Sequence, residues 1–421
     1  MVRQAHHKLV RVRIAPSPTG FAHVGTAYTA IFNYAFARKN SGTFIVRLED
    51  TDQKRNVKGA DTAIVEGLSW LGLTWDEGFD KGGPFAPYKQ SERLEIYRER
   101  AKDLIKSGLA YEEEGAIRFK NPGEDIGWED LIRSKISFPG GEVTDFVILK
   151  SDGFPTYNFG VVIDDILMQI THVIRGEEHI SNTPRQIALY KAFGVDPPVF
   201  AHHPTLRNAE RKKLSKRRDP VDLRIFKEKG YLPEALVNFL CLLGWSHPEE
   251  KEIFDLEEFV NLFDFSRVKP AGPIFDTAKL DWINGEYIRK LSIESLNSKF
   301  KIQNSKFAGF GEEKQLAITE LVRERIKKIS DFDSFAGFFF EEPKVDKKLF
   351  GKNYREHLFA AIEAIEQDKP LDSVPKVKGY KVGDFFMDLR IAITGSKFTP
   401  PINESIVILG KEETLKRLKG I

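Results

Sequence analysis

The sequence is poor in cysteine, and this scarcity narrows the chemistry that the chain can carry. Cys241 is the only cysteine among 421 residues, so a disulfide within the chain and a zinc site built from cysteines are both excluded. Cys241 stands inside the apolar run FLCLLGW, which predicts a small buried side chain rather than a reactive thiol.

The sequence also lacks long apolar runs and an excess of charge of one sign. No run approaches the roughly 20 residues that a membrane-spanning helix needs. The first ten residues, MVRQAHHKLV, are charged and lack the apolar core of a signal peptide. We therefore expect a cytoplasmic protein with no membrane partner. The formal net charge of +2 does not by itself indicate what the protein binds.

The composition is that of an ordinary globular protein, and the pattern along the chain begins as α/β. Hydrophobic residues make up 41% and charged residues 30% of the sequence, which predicts sizeable cores, and the length suits two to four domains. Residues 10–75 alternate between short apolar strands and amphipathic helices. No internal repeat or low-complexity segment interrupts the chain.

The stretch RIAPSPTGFAHVGTA, residues 13–27, joins the first predicted strand to the first predicted helix. In open α/β sheets such a turn is where ligands bind, and a helix N-terminus favours phosphate. His23 can donate a hydrogen bond to a phosphate oxygen, and Gly25 lets the backbone approach closely. Taken alone, a histidine before a helix is more often a cap.

The remaining pattern predicts an insertion and then a change of class. Residues 111–142 are short-stranded and loop-rich, and the strand predicted over 145–153 restarts the α/β pattern. A basic loop follows the last predicted strand, and from Leu223 onward the pattern is mostly helical. The polar stretch 299–314 predicts a domain boundary.

Two motifs, read together, carry a resemblance. PSPTGFAHVG after the first strand and KLSKR (213–217) after the last resemble the two signatures of class I aminoacyl-tRNA synthetases, although either motif alone is weak. Over nearly the whole chain, further segments resemble the glutamyl-tRNA synthetase family in the family's order: FIVRLEDTD (44–52), GGPFAPYKQSER (82–93), DGFPTYNF (152–159), THVIRGEEH (171–179), GYLPEALVNFL (230–240) and LRIAITGSKFTPP (389–401).

The resemblance implies an α/β fold with a split Rossmann-like catalytic domain and an inserted α+β subdomain, followed by all-α domains that contact the tRNA stem and the anticodon. The implied division is a catalytic domain over 1–85 and 145–217, an acceptor-end insertion over 86–144, a stem-contact domain over 218–302 and an anticodon-binding domain over 303–421.

The implied reaction is ATP-dependent activation of L-glutamate to glutamyl-adenylate with release of pyrophosphate, followed by transfer to the 3′-terminal ribose of tRNA(Glu). Positioning and electrostatic stabilisation would carry most of this catalysis. The catalytic residues would be His23, Lys213 and Lys216. The residues expected to bind ATP, carried as its Mg²⁺ complex, are Pro16, His23, Gly25, Glu178, Leu206, Lys213, Ser215, Lys216 and Arg217.

Glutamate has two carboxylates and one ammonium, so its site should combine arginines with an acidic residue. An arginine can hold a carboxylate at two points, and Arg13 and Arg175 match the family's arginines. Glu49 would hold the ammonium, although a simple ion pair between Glu49 and Arg13 is the structural alternative. The residues expected to bind glutamate are Arg13, Ala15, Ser17, Glu49, Tyr157 and Arg175.

The insertion is shorter than is usual in the family, and it contains no cysteine. Zinc is therefore not expected, and neither is any other protein-bound metal. Beyond glutamate and ATP, the expected partner is tRNA(Glu), with tRNA(Gln) a second candidate that the sequence does not decide. The family's usual state is a monomer.

Three other functions compete with this interpretation. A relative that glutamylates a modified tRNA base would resemble only the catalytic half, which residues 303–421 disfavour. A non-catalytic RNA-binding relative would be expected to lose His23, Lys216 or the two arginines. A glutaminyl-tRNA synthetase is disfavoured by the helical tail, because the glutaminyl enzymes use β-barrels there.

Overall fold

The computed structural model describes residues 9–214, 219 and 221–421. The chain divides into two compact units, Met1–Lys227 with Pro233–Thr277, and Glu228–Leu232 with Ala278–Ile421. Strands occur only in the first unit among the described residues. The strands are β1 (Arg11–Ile14), β2 (Thr43–Val46), β3 (Glu77–Gly78), β4 (Ala110–Glu113), β5 (Ala116–Phe119), β6 (Ile126–Asp130), β7 (Ser134–Phe138), β8 (Phe146–Leu149), β9 (His172–Gly176) and β10 (Val199–His203).

Helices occur in both units. Those of the first unit are α1 (Val24–Lys39), α2 (Ala60–Trp70), α3 (Leu94–Lys106), α4 (Tyr157–Leu167), α5 (Thr183–Ala192), α6 (Leu223–Glu228), α7 (Pro233–Gly244) and α8 (Leu256–Leu262). The following ones are α9 (Thr277–Lys290), α10 (Ile293–Gln303), α11 (Ser305–Ala308), α12 (Glu312–Arg323), α13 (Phe332–Ala336), α14 (Tyr354–Glu366), α15 (Val374–Lys378), α16 (Val382–Thr394), α17 (Ile402–Leu409) and α18 (Lys411–Lys419).

A mostly parallel arrangement of strands forms the centre of the first unit. β1, β2 and β3 pair in parallel, and β10 pairs in parallel with both β9 and β6. The two sheets meet where β1 lies beside β9, and the Thr171 N–H donates to the Arg11 carbonyl oxygen at 3.0 Å. The strands therefore run β3-β2-β1-β9-β10-β6-β7. The direction of the chain across the sheet reverses between β1 and β9, and ligands bind at such a point in open α/β sheets.

The strands and helices around this reversal follow the predicted pattern. Val12 and Ile14 of β1 are buried, and α1 packs against both β1 and β9. α1 ends at Lys39, beside the Asn-Ser-Gly sequence that predicts a helix end. The strand–helix–strand unit predicted from residues 10–75 is therefore present, with the turn before α1 at the carboxyl end of β1.

The inserted segment is divided between two sheets, which the sequence did not predict. β6 and β7 extend the central sheet, whereas β8 pairs antiparallel with β5 in a separate sheet of order β4-β5-β8. The strand predicted over 145–153 forms, but it does not restart the parallel pattern. The pairing partner of a strand is a tertiary choice that local hydrophobic alternation does not encode.

The second unit is all-helical, and residues 299–314, where the sequence predicts a domain boundary, are helical within it. Those residues belong to α10, α11 and the start of α12, and α10 packs against α12. Phe300 and Phe307 are fully buried there, and the rings of Phe300 and Phe332 stack with centroids 4.0 Å apart. The polar residues that suggested a linker are the exposed faces of amphipathic helices.

No helix of the described residues is both long enough and apolar enough to cross a membrane. Cys241 is buried in α7, as its apolar surroundings predict.

Candidate active site

A cavity of about 400 Å³ lies where the chain reverses direction across the sheet. The carboxyl ends of β1, β9 and β10 and the N-terminus of α1 surround it. All twelve of the predicted site residues that the structure describes line this cavity: Arg13, Ala15, Pro16, Ser17, His23, Gly25, Glu49, Tyr157, Arg175, Glu178, Leu206 and Lys213. Ser215, Lys216 and Arg217 lie outside the described residues.

His23 is the N-cap of α1. Its Nδ1 accepts hydrogen bonds from the backbone N–H groups of Gly25 at 3.0 Å and Thr26 at 3.4 Å. Because Nδ1 accepts, the proton of the neutral ring is assigned to Nε2. A Cβ on Gly25 would lie 2.9 Å from Cε1 of the histidine ring, so glycine permits the cap to form. The cap that the sequence suggested is present, and its contact with phosphate stays a prediction.

The structural alternative for these residues, an ion pair between Arg13 and Glu49, does not form. Arg13 donates from Nε and Nη2 to the two oxygens of Asp165, both at 3.1 Å. Arg47 bridges the two carboxylates, with Nη1 2.7 Å from Asp165 and Nη2 3.1 Å from Glu49. Since all four side chains are buried, each charge depends on the others for compensation.

The two carboxylates of this group have opposite pKa shifts. Burial tends to raise the pKa of Asp165, but Arg13 and Arg47 hold it below its ordinary value. Burial dominates at Glu49 and raises its pKa to about 7, despite the opposing effect of Arg47 and Arg13. Asp165 therefore stays charged near neutral pH, whereas Glu49 is poised to gain or lose a proton.

Arg175 lies on the β9 side of the cavity and is 5% exposed. Its Nε donates to Nε2 of His202 at 3.1 Å, and its Nη2 donates to the Thr183 hydroxyl at 2.8 Å. Among the described residues, its buried Nη1 has no hydrogen-bond partner. An unsatisfied buried donor costs free energy, and a bound carboxylate is the chemical group that would best satisfy a guanidinium donor.

Tyr157 is the first residue of α4, at the mouth of the cavity, and its hydroxyl lies 3.1 Å from Nδ1 of His179. Burial and the nearby Arg175 lower the pKa of His179 to about 4. His179 is therefore neutral near pH 7. His179 is the last residue of the motif RGEEH, but no role was predicted for it from the sequence.

Glu178 and Lys213, which also line the cavity, form an ion pair at 2.9 Å. Both residues were predicted to bind ATP. A Cβ on Gly176 would lie 2.0 Å from Oε2 of Glu178, so the carboxylate takes this position only because residue 176 is glycine. The pairing lowers the pKa of Glu178 in opposition to burial, which raises it.

Several polar residues of the site escaped the sequence analysis. Asp165 belongs to the run VVIDDI, which forms part of α4, and it was not predicted to be a site residue. A pair of carboxylates inside an apolar helix is a usable signal, because charged residues are rarely buried without partners. Thr29 and His203 were also missed: their side chains lie 3.0 Å apart and both line the cavity.

In the part of the chain that the structure describes, no group of three or more His, Cys, Asp or Glu side chains is arranged to hold a metal ion.

Comparison with known proteins matches two families. The family "tRNA synthetases class I (E and Q), catalytic domain" matches residues 9–116 and 112–282, and "Anticodon binding domain" matches residues 293–421. A glutamate–tRNA ligase of Acidothermus cellulolyticus is 41% identical over 97% of this chain and 95% of its own length. A glutamate–tRNA ligase of Bacillus subtilis is 40% identical over 98% and 99% of the two chains.

Solved structures agree with these sequence matches. The crystal structure of a glutamate tRNA ligase from Elizabethkingia meningosepticum, in complex with its amino acid, superposes with a TM-score of 0.85 at 33% identity. The alignment covers 98% of this chain and 99% of that one. The catalytic family, the helical second unit and the full-length similarity agree, and the chain belongs to the glutamate–tRNA ligase family of class I aminoacyl-tRNA synthetases.

Proposed function

We propose that the protein joins L-glutamate to tRNA(Glu) in two steps at the cavity described above. A carboxylate oxygen of glutamate attacks the α-phosphorus of ATP, the bond to the β-phosphate oxygen breaks, and pyrophosphate leaves. A hydroxyl of the 3′-terminal ribose of tRNA then attacks the mixed anhydride and releases AMP. The observation that carries the proposal is the buried Nη1 of Arg175, a cationic donor without a partner among the described residues, on the cavity wall.

The amino-acid end of the site is proposed to lie between Arg175 and Glu49. The substrate has two carboxylates for the guanidinium groups of Arg13 and Arg175, and one ammonium for Glu49. Losing the partner of a buried charge discriminates strongly between substrates, so glutamine should bind poorly. The backbone of Ala15 and the hydroxyls of Ser17 and Tyr157 line the same region and complete the proposed glutamate site.

The nucleotide end is proposed to lie beside the N-terminus of α1. Nε2–H of His23 would donate to a phosphate oxygen, and the helix N-terminus adds partial positive charge. Lys213 and Lys216 would stabilise the negative charge of the leaving pyrophosphate. Mg²⁺ would arrive on the phosphates of ATP as part of the substrate. The proposed contacts to the rest of the nucleotide are Pro16, Gly25, Glu178, Leu206, Ser215 and Arg217.

The tRNA is proposed to extend along the remainder of the chain. The family match over 293–421 supports anticodon recognition by the helices there, while the acceptor-end role of 86–144 and the stem-contact role of 218–302 rest on the resemblance. A monomer that acts in the cytoplasm on tRNA(Glu) belongs to the same proposal. Charging of transcripts of tRNA(Glu) and tRNA(Gln), measured side by side, determines whether the second tRNA is also a substrate.

The decisive experiment is exchange of radiolabelled pyrophosphate into ATP, with glutamate, glutamine or aspartate, and with or without total tRNA. Exchange that depends on glutamate and on tRNA is the expected result. Glutamate-dependent exchange that needs no tRNA would favour an enzyme that glutamylates a modified tRNA base. Folded protein that supports no exchange under either condition would favour an RNA-binding role and overturn the proposal.

A further inference from the structure

Three nitrogens of the Arg175 guanidinium face three different environments. Nε and Nη2 donate to acceptors on His202 and Thr183, whereas Nη1 is buried without a partner among the described residues, on a side chain that lines the cavity. The direction of Nη1 is therefore set by the two acceptors behind it. One of them, Nε2 of His202, accepts a hydrogen bond only when it carries no proton.

Asp130 determines where the proton of His202 sits. Its Oδ2 lies 2.5 Å from Nδ1 of His202. Burial tends to raise the pKa of Asp130, but the hydrogen bond and charge interaction with His202 and the backbone N–H donors together keep the pKa below its usual value. An ionised carboxylate only accepts, so Nδ1 must donate. Burial also lowers the pKa of His202, so the ring is neutral. Nε2, which accepts from Arg175, then carries no proton.

The geometry of this chain of contacts is rigid at both ends. Oδ1 of Asp130 accepts from the backbone N–H groups of Ile132, Arg133 and His202 at 3.0–3.1 Å. The His202 ring stacks on Phe200, with centroids 5.9 Å apart and planes 13° apart. Neither the carboxylate nor the imidazole can rotate without losing several of these contacts.

We propose that Asp130 is a positioning residue for the amino-acid substrate: through His202 it fixes Arg175 so that Nη1 meets a substrate carboxylate. Asp130 ends β6, in the segment between the two halves of the catalytic domain to which the sequence analysis assigned no residue roles. The inference rests on the proposed function, since it assumes that the cavity binds an amino acid.

Asp130→Asn is the sharpest test because it is nearly isosteric. The amide oxygen keeps the three backbone hydrogen bonds, and the amide nitrogen then faces Nδ1 of His202. Nδ1 must now accept, the ring proton moves to Nε2, and Nε2–H opposes Nε–H of Arg175. We expect the KM for glutamate to rise about 10- to 100-fold, the loss typical of a hydrogen bond to a charged group.

The accompanying values separate positioning from general damage. The KM for ATP should change by less than about twofold, since only the amino-acid end is disturbed. Asp145→Asn is the matched control: that carboxylate also accepts a backbone N–H, from Asn121 at 2.9 Å, but it does not contact Arg175. A folded Asp130→Asn enzyme whose KM for glutamate matches wild type would overturn the inference, and so would equal changes in both KM values.

His202→Gln tests the link itself. A glutamine can place its amide oxygen near the position of Nε2 and accept from Arg175 whatever residue 130 is. In the His202→Gln background, Asp130→Asn should therefore raise the KM for glutamate by less than about threefold. An undiminished effect in that background would show that Asp130 acts by another route and would overturn the inference.

The wild-type protein offers a test that needs no measurement of activity. Nitrogen chemical shifts of ¹⁵N-histidine-labelled protein report which ring nitrogen of His202 carries the proton, and His202→Gln assigns the signal. The Nδ1–H form with a bare Nε2 is expected, and the Nε2–H form would overturn the inference. Absence of glutamate-dependent exchange in wild type would instead defeat the proposed function, so the two failures are distinguishable.

Discussion

Arg13, which lines the cavity, forms a two-point ion pair with the buried Asp165. Both N–O distances are 3.1 Å, and the side chains are 4% and 1% exposed. β1 supplies the arginine and α4 supplies the carboxylate, so the pair ties the first strand of the sheet to a helix far along the chain. Arg47 shares the same carboxylate, which makes Asp165 the common counter-ion of two buried guanidinium groups.

Asp165→Asn should therefore destabilise the first unit strongly. It leaves Arg13 and Arg47 buried with too little negative charge, and breaking a buried pair in this way costs about 3–5 kcal/mol. The free energy of unfolding in urea measures the loss. Glu95→Gln is the control, because it breaks an exposed pair with Arg98 that should contribute under about 1 kcal/mol. Similar losses in the two variants would contradict the counter-ion role of Asp165.

The pKa of about 7 at Glu49 predicts that glutamate binding depends on pH. Only the carboxylate form attracts the substrate ammonium, and protonation below pH 7 removes it. The KM for glutamate should fall about tenfold between pH 6 and pH 8, because the competent fraction rises by that factor. Steady-state charging at saturating ATP and tRNA measures it.

Glu49→Gln provides the control for that pH profile. The amide cannot titrate, so its KM for glutamate should be higher than that of wild type and nearly flat over the same range. A wild-type profile that is also flat, or a slope that persists in the variant, would assign the titration to a different group.

Lys216→Ala should lower the rate of pyrophosphate exchange far more than it changes the unfolding midpoint. A cation aimed at the leaving pyrophosphate is expected to contribute about 10²- to 10³-fold to the rate. Lys212→Ala, in the same basic loop but without an assigned contact to ATP, is the matched control. If both variants lose activity equally, the loop acts through its general charge, and if stability and rate fall together, Lys216 has a structural role.

The turn before α1 shows what the sequence predicted well. The strand, turn and helix are local features, and each is encoded by residues within one turn of it. Twelve of the fifteen proposed site residues line one cavity because the resemblance supplied their grouping, which spacing alone would not have given. The other three, Ser215, Lys216 and Arg217, lie outside the described residues, and the roles of all fifteen stay predictions.

The errors share a physical cause, which is that tertiary partners are not local. β8 pairs antiparallel with β5 and does not continue the parallel sheet. Arg13 pairs with Asp165 and not with Glu49. The link from Asp130 to Arg175 joins three segments that no periodicity connects. Residues 299–314 form helices although their polar composition resembles that of a linker, because an exposed helical face and a linker have similar composition.

Gly176→Ala provides a test of the nucleotide end of the site in which no charged residue is substituted. The new Cβ would lie 2.0 Å from Oε2 of Glu178 and 2.7 Å from its Cδ, so the carboxylate must swing away from Lys213. The moving atoms are the end of a flexible side chain, and the backbone at Gly176, with φ of −67°, suits alanine. The fold should therefore keep its stability while the ATP site changes.

The expected result is a rise of about two- to tenfold in the KM for ATP, the loss of one hydrogen bond, with the KM for glutamate unchanged. Gly141→Ala is the control, because a Cβ there meets nothing within 4 Å. A folded Gly176→Ala enzyme with an unaltered KM for ATP would remove Glu178 from the nucleotide site. A rise in the KM for glutamate alone would place this side of the cavity at the amino acid instead, because Arg175 is the neighbouring residue on β9.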